Sequence, residues 1–430
     1  MISVFGVLCH HIIFFAIKEE PMNMRKSTAN WIRVGFLNLL LVALLGVVMR
    51  YKITFYLPFV DQKHILHAHS HFAFAGWITL ALMILLVYCL SLQKIDLNFK
   101  KYRWLLLANF ITAYGMLLSF PIQGYGAVSI TFSTLSIIVS YVFAVIYWRD
   151  LNSVPYSISH SWFKGALLFS VISSAGTYAL STMMMTKSIN QHMYLASIYF
   201  YLHFQYNGWF FFACMGLFAN LIKDALPIRN QKIVFWLFAL SCIPAYILSA
   251  LWLPIPDWVH SLVSIAAVTQ VAAWAILLAA LWKNKPIVKI TLGKVNWVFA
   301  LVLIAVSVKL FLQLGSTVHF LSDLAFSFRP IVIGYLHLVL LGVITLFIIG
   351  YVLVQGLAPQ NKRISTGLIV FIAGIILNEF LLMLQGVNAM AYIRIPFINE
   401  LLLFAALVMF SGVLLVNIGD WKQQDYYTSK

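Results

Sequence analysis

Long apolar runs separated by short polar connections dominate this chain. Twelve runs approach the 20 or so residues that cross a hydrocarbon core about 30 Å thick. They lie near residues 31–50, 68–93, 103–122, 126–147, 162–185, 193–222, 231–253, 258–282, 293–314, 328–356, 364–386 and 395–417. In lipid a spanning segment must satisfy its own backbone, so each run predicts a transmembrane helix. The expected organisation is an N-terminal extension over 1–30 that does not span, a twelve-helix membrane domain over 31–417, and a short cytoplasmic tail over 418–430. Residues 1–17 are apolar but short for a span, and KEE and PMNMRKS follow. No basic segment precedes that stretch, so it does not read as a signal peptide, and Met22 and Met24 are alternative starts.

Composition agrees with an integral membrane protein of the all-α class. Hydrophobic residues make up 63% of the chain and charged residues 9%, against about 25% charged in soluble domains. The net charge of +16 comes from Lys and Arg in the connections. It therefore reads as topology signal and contact with anionic head groups, not as nucleic-acid binding. The connections after the second, fourth, sixth, eighth and tenth runs are the basic ones, with Lys94, Lys100, Lys101, Arg103, Arg149, Lys164, Lys223, Arg229, Lys232, Lys283, Lys285, Lys289, Lys294, Lys362 and Arg363. The intervening connections carry little charge, such as Lys187 or Arg394. The positive-inside rule then puts both termini in the cytoplasm, with the bilayer expected to be a bacterial inner (cell) membrane. Cys9, Cys89, Cys214 and Cys242 are scattered without metal-finger spacing and predict no disulfide framework.

Candidate chemistry concentrates in His64–Trp77, HILHAHSHFAFAGW, which opens the second run with His64, His67, His69 and His71. Ionisable or metal-binding groups at membrane depth are costly and usually mark function, and imidazole is the commonest ligand for a metal or haem iron. At about 100° per residue, His67 and His71 share one helix face while His69 points nearly the opposite way, so one metal cannot take all of them. His192 and His203 lie in the first half of the sixth run, and His260 opens the eighth. His337 lies roughly 12 Å of helix beyond Arg329 in the tenth. All these runs are even-numbered, which collects the histidines toward the outer side.

That order of histidines resembles the catalytic subunit I of the haem-copper oxidases, most closely its cbb-type and nitric-oxide-reductase branches, over about Trp31 to Asn417. Gly334, Tyr335, Leu336, His337 and Gly342 are similar to the family's tenth helix. There His337 matches the ligand of the low-spin haem, and Tyr335 stands where the high-spin haem ligand belongs. AHSHFAF offers His69 first as the second axial ligand, with His71 and His67 as alternatives. HFQYNGWF resembles the sixth helix, where His203 matches one ligand of the active-site copper or non-haem iron. The seventh run departs from the family, since AYILSALW contains no histidine where the family has an adjacent pair.

The resemblance thus implies a subunit I-like helical bundle with a noncovalent bis-histidine haem b, no covalent CxxCH site, and no complete oxygen- or NO-reducing centre. A second haem or a copper lacks most of its ligands. Arg394, with Arg329 and Lys309 as further choices, is the implied partner of haem propionates, by the bidentate geometry of arginine; snorkelling to head groups is the alternative. Electron transfer or gas sensing is the implied role, with a quinol or cytochrome donor and other respiratory membrane subunits as partners besides the lipid bilayer. Two other functions fit the residues: a transporter, although no inverted repeat or broken helix pair stands out, and a metal-handling protein that uses His64–His71.

Overall fold

The computed structural model describes residues 24–94, 97–318, 320–322 and 328–421. Residues 1–23 of the expected extension, with Cys9, His10, His11 and Met22, lie outside the described residues, as do His319 and tail residues 422–430. Among the described residues every regular element is helical. The long ones are α1 (Met24–Thr54), α2 (Gln62–Ser91), α3 (Phe99–Gln123), α4 (Ala127–Leu151), α5 (Ile158–Met185), α6 (191–221), α7 (Ile228–Cys242), α8 (Asp257–Lys283), α9 (Lys285–Gly315), α10 (Arg329–Val354), α11 (Lys362–Met390) and α12 (Ile398–Asn417). Each apolar run maps onto one of these helices, the seventh only over its first half. The first begins earlier than expected, so residues 24–30 belong to α1, where the Arg25 guanidinium donates to the carbonyls of Gln355 and Gly356.

Ten of these helices are long and apolar enough to cross a membrane, fewer than the twelve expected from the runs. The two that differ are α6 and α7. In α6, His203, Gln205 and Asn207 interrupt an otherwise apolar helix. In α7 the α-helix stops at Cys242, and Pro244–Ser249 continues as a 3₁₀ turn. Proline lacks the N–H that the ladder needs, so the regular helix is too short to span by itself.

The chain divides into two compact units. One comprises residues up to Arg149, Gln355–Gly374 and Ala406 onward; the other comprises Asp150–Val354 and Ile375–Ala405. In the first unit α2 packs against α1 and α3. Its stretch from Leu80 to Leu90 is buried at every position, and a helix apolar all round is stable only when enclosed. In the second unit α5 packs on α6, α7 on α8, α8 on α9, and α9 on α10. Phe211–Ala219 of α6 and Leu346–Leu353 of α10 are likewise buried without a break.

The three helices share a further feature. Each passes through a π-helical turn: Ala73–Thr79 in α2, Phe204–Phe210 in α6 and Leu338–Thr345 in α10. Such turns are rare and frequently accompany functional sites. Each follows a histidine within two residues, and each contains a glycine five residues after it: His71 and Gly76, His203 and Gly208, His337 and Gly342. These pairs recur at nearly even intervals along the chain.

A widened turn disturbs the regular ladder, so its carbonyls need other donors inside an apolar bundle. In α2 two buried asparagines supply them. Asn38 Nδ2 from α1 donates to the Gly76 carbonyl at 2.6 Å, and Asn109 Nδ2 from α3 donates to the Ala75 carbonyl at 3.0 Å. The Tyr114 hydroxyl donates to Asn38 Oδ1 at 2.9 Å, which ties α1, α2 and α3 together. Replacing Asn38 by Ala leaves a buried carbonyl and a hydroxyl without these partners. It is expected to destabilise the protein by about 1–3 kcal/mol, and combining it with Tyr114→Phe to cost less than the sum of the two. Thermal unfolding of the three variants in detergent checks this coupling.

Candidate functional site

The histidine cluster is set by the start of α2. Asp61 caps the helix by accepting from the backbone N–H of Lys63 at 2.8 Å and of His64 at 2.9 Å. The His64 N–H bond is the main reason that the Asp61 carboxyl titrates below its usual range. From this fixed start Gln62–Phe72 is regular α-helix, so the faces expected from a 100° step are realised.

His67 and His71 both turn toward Phe120 and Tyr125. The His67 ring lies edge-on to Tyr125 with centroids 4.5 Å apart. His71 stacks on Phe120 at 4.4 Å, and its Nε2 shares a hydrogen bond with the Tyr125 hydroxyl at 3.0 Å. His64 packs by its Nε2 over Gly124, where a Cβ would lie only 2.6 Å from that nitrogen. Gly124 also has φ of +57°, a backbone state that L side chains rarely adopt.

His69 faces the other way, toward α1. Its Nδ1 lies 3.1 Å from the Val42 carbonyl oxygen. A carbonyl only accepts, so Nδ1 carries the hydrogen and Nε2 keeps its lone pair. The ring lies against Gly46 of α1 at ordinary contact distance, since a Cβ there would sit 3.6 Å from His69 Cε1. A neutral imidazole oriented by a backbone carbonyl through one nitrogen, with the other nitrogen basic, is the usual form of a histidine that ligates a metal.

His203 is held differently. The α7 ladder ends before Pro244, and the Tyr246 N–H bonds the Ile243 carbonyl. The Cys242 carbonyl accepts from His203 Nε2 at 2.9 Å, and Asn207 Nδ2 donates to His203 Nδ1 at 3.1 Å. Both ring nitrogens are engaged within the protein, so the expected copper or iron ligand offers no lone pair in this arrangement. The Oδ1 of Asn207 is buried with no hydrogen-bond partner among the described residues.

The remaining expected residues fall as follows. His337 closes the α-helical stretch Arg329–His337, just before the π-turn of α10. Tyr335 lies with its ring centroid 6.2 Å from that of Tyr206. Arg329 is exposed at the start of α10, and Arg394 is exposed in the connection from α11 to α12. Lys309, by contrast, is buried. Its Nζ donates to Gln313 Oε1 at 2.9 Å and lies 5.4 Å from the centre of the Phe211 ring. Among the described residues no group of three or more His, Cys, Asp or Glu side chains could hold a metal ion.

Sequence reasoning missed Asn38, Asn109 and the enclosure of Lys309. The recurrence of a histidine five residues before a glycine in α2, α6 and α10 was the available signal for the three π-turns. No protein-family model matches the chain, and no curated protein matches it.

Two outcomes test this geometry. A Cβ at Gly208 would lie 2.5 Å from Phe169 Cβ, whereas one at Gly342 would meet Ala305 Cβ at an ordinary 3.5 Å. Gly208→Ala is therefore expected to lose about 1–3 kcal/mol by overpacking, and Gly342→Ala to stay near wild type, in parallel thermal melts. Asp61→Ala is expected to lower the melting temperature at neutral pH. A lowered folded-state pKa stabilises above the ordinary carboxylate pKa, and that stability is lost as pH falls through the lowered value. The difference between variant and wild type should therefore shrink below about pH 4, which melts at pH 7 and pH 3 will show.

Proposed function

We propose that this chain is a haem-binding multi-pass membrane protein that uses a low-spin haem b for electron transfer or gas sensing. The observation that carries this reading is the His69 imidazole. Its Nδ1–H is bound to the Val42 carbonyl, and its Nε2 is left basic. A bis-histidine low-spin haem takes two neutral imidazoles, and the sequence resemblance supplies His337 as the second. Bound haem would contribute the one-electron redox couple. The chain would contribute the His69 nitrogen of fixed tautomer, the His337 imidazole and an apolar surround, which tune such a couple. His67 and His71, held among Phe120 and Tyr125, serve in this reading as supporting groups.

The histidine-free seventh helix and the engaged nitrogens of His203 favour a centre that does not reduce oxygen or NO. A subunit I-like bundle of twelve crossings is part of the same proposal, with α6 and with α7 extended by the 3₁₀ turn to Ser249 as the two crossings beyond the ten that length and apolarity qualify.

The test is a reduced-minus-oxidised optical spectrum of protein purified after expression with haem supply. A b-type bis-imidazole spectrum is expected in wild type and in His203→Ala, and its loss in His69→Ala and His337→Ala. A colourless wild-type protein, or an unchanged spectrum in both ligand variants, would overturn the assignment. Measurable oxygen or NO consumption by the isolated chain would overturn the electron-transfer or sensing role.

A further inference from the structure

The connection between α11 and α12 borders an open pocket of about 650 Å³, lined by Gln385 of α11, Arg394 and Phe397 of the loop, and Asn399 and Glu400 of the first turn of α12. That volume lies within the range of small-molecule sites. The cavity presents one guanidinium and one carboxylate, and among the described residues Arg394 and Glu400 form no ion pair with each other. Opposite charges that share a cavity without closing on each other leave room for a ligand carrying both signs. A group with two negative charges, such as a pair of propionates, would meet Glu400 as well as Arg394, which disfavours it.

The loop joins the ends of two helices long and apolar enough to span, so it lies at the level of lipid head groups. Around it Tyr392, Ile393 and Phe397 are exposed, as suits side chains set against acyl chains and the interfacial layer. Tyr392 and Phe397 also have positive φ, +56° and +58°. Non-glycine residues adopt that state only when their surroundings hold them there, and here the two bracket Arg394.

We propose that this cavity binds the head group of a phosphatidylethanolamine, with the phosphate on Arg394 and the primary ammonium on Glu400. Arginine pairs with phosphate through two parallel N–H bonds, and a carboxylate accepts from the N–H groups of a primary ammonium. The Gln385 and Asn399 amides can donate to the phosphate or accept from the ammonium. A choline head group keeps the charge but has no N–H to donate. A glycerol head group keeps the phosphate but has no cation. This inference does not depend on haem binding.

The experiment is a titration of the purified, delipidated full chain with short-chain phosphatidylethanolamine, phosphatidylcholine, phosphatidylglycerol and soluble phosphoethanolamine, read by melting temperature and by lipid retention in native mass spectrometry. Phosphatidylethanolamine is expected to bind most tightly. Arg394→Gln should weaken it about tenfold, and Glu400→Gln should erase its advantage over the choline and glycerol lipids. Both side chains are exposed, so both variants should fold, which helical circular dichroism verifies. Equal binding of the three lipids to wild type, or wild-type selectivity in Glu400→Gln, would overturn the proposal. Soluble phosphoethanolamine binding as tightly as the lipid would overturn the lipid as its source.

Discussion

Inside an apolar bundle a backbone carbonyl that leaves the helical ladder has no water to turn to, and several features of this protein follow from that constraint. In α2 the π-turn Ala73–Thr79 shifts carbonyls out of the regular pattern, and Asn38 and Asn109 take those of Gly76 and Ala75. Two neighbouring helices are thereby registered against the turn by polar contacts, which lipid-like surroundings do not otherwise provide. The same need appears in the other unit, where α7 ends before Pro244 and the Cys242 carbonyl receives His203. In both places an irregularity in one helix decides what a side chain of another must do.

These demands separate histidines that look alike in the sequence. His203 spends both ring nitrogens on internal partners and so acts as a brace between α6 and the end of α7. His71 is occupied by Tyr125 and stacked on Phe120. His69 spends one nitrogen on Val42 and keeps the other basic. The Val42 carbonyl can only accept and so fixes the tautomer of His69, whereas the Tyr125 hydroxyl can donate or accept and leaves that of His71 open.

Charge is managed in an equally local way. Lys309 is buried and rests against Gln313 and the face of Phe211, where the ring quadrupole and an amide oxygen take the place of a carboxylate. Arg394 keeps an exposed position and shares a cavity with Glu400. The sequence gives no reason to treat these two cations differently, since both stand near the ends of apolar runs. Only their packing makes one an internal group and the other a surface group.

What the sequence by itself determined was the membrane class, the helices and their order, and the opposed faces of His67 with His71 and of His69. Those follow from hydropathy, from run length and from the 100° step of an α-helix, all local properties. Whether a helix is long and apolar enough to cross depended on Pro244 just beyond the end of α7 and on polar residues in the middle of α6, so twelve runs became ten qualifying spans. The π-turns and their asparagine partners, the two engaged nitrogens of His203 and the burial of Lys309 were decided by tertiary structure. Each requires groups far apart in the chain to meet, as Asn38 meets Gly76, and hydropathy carries no record of which carbonyl will be left needing a donor.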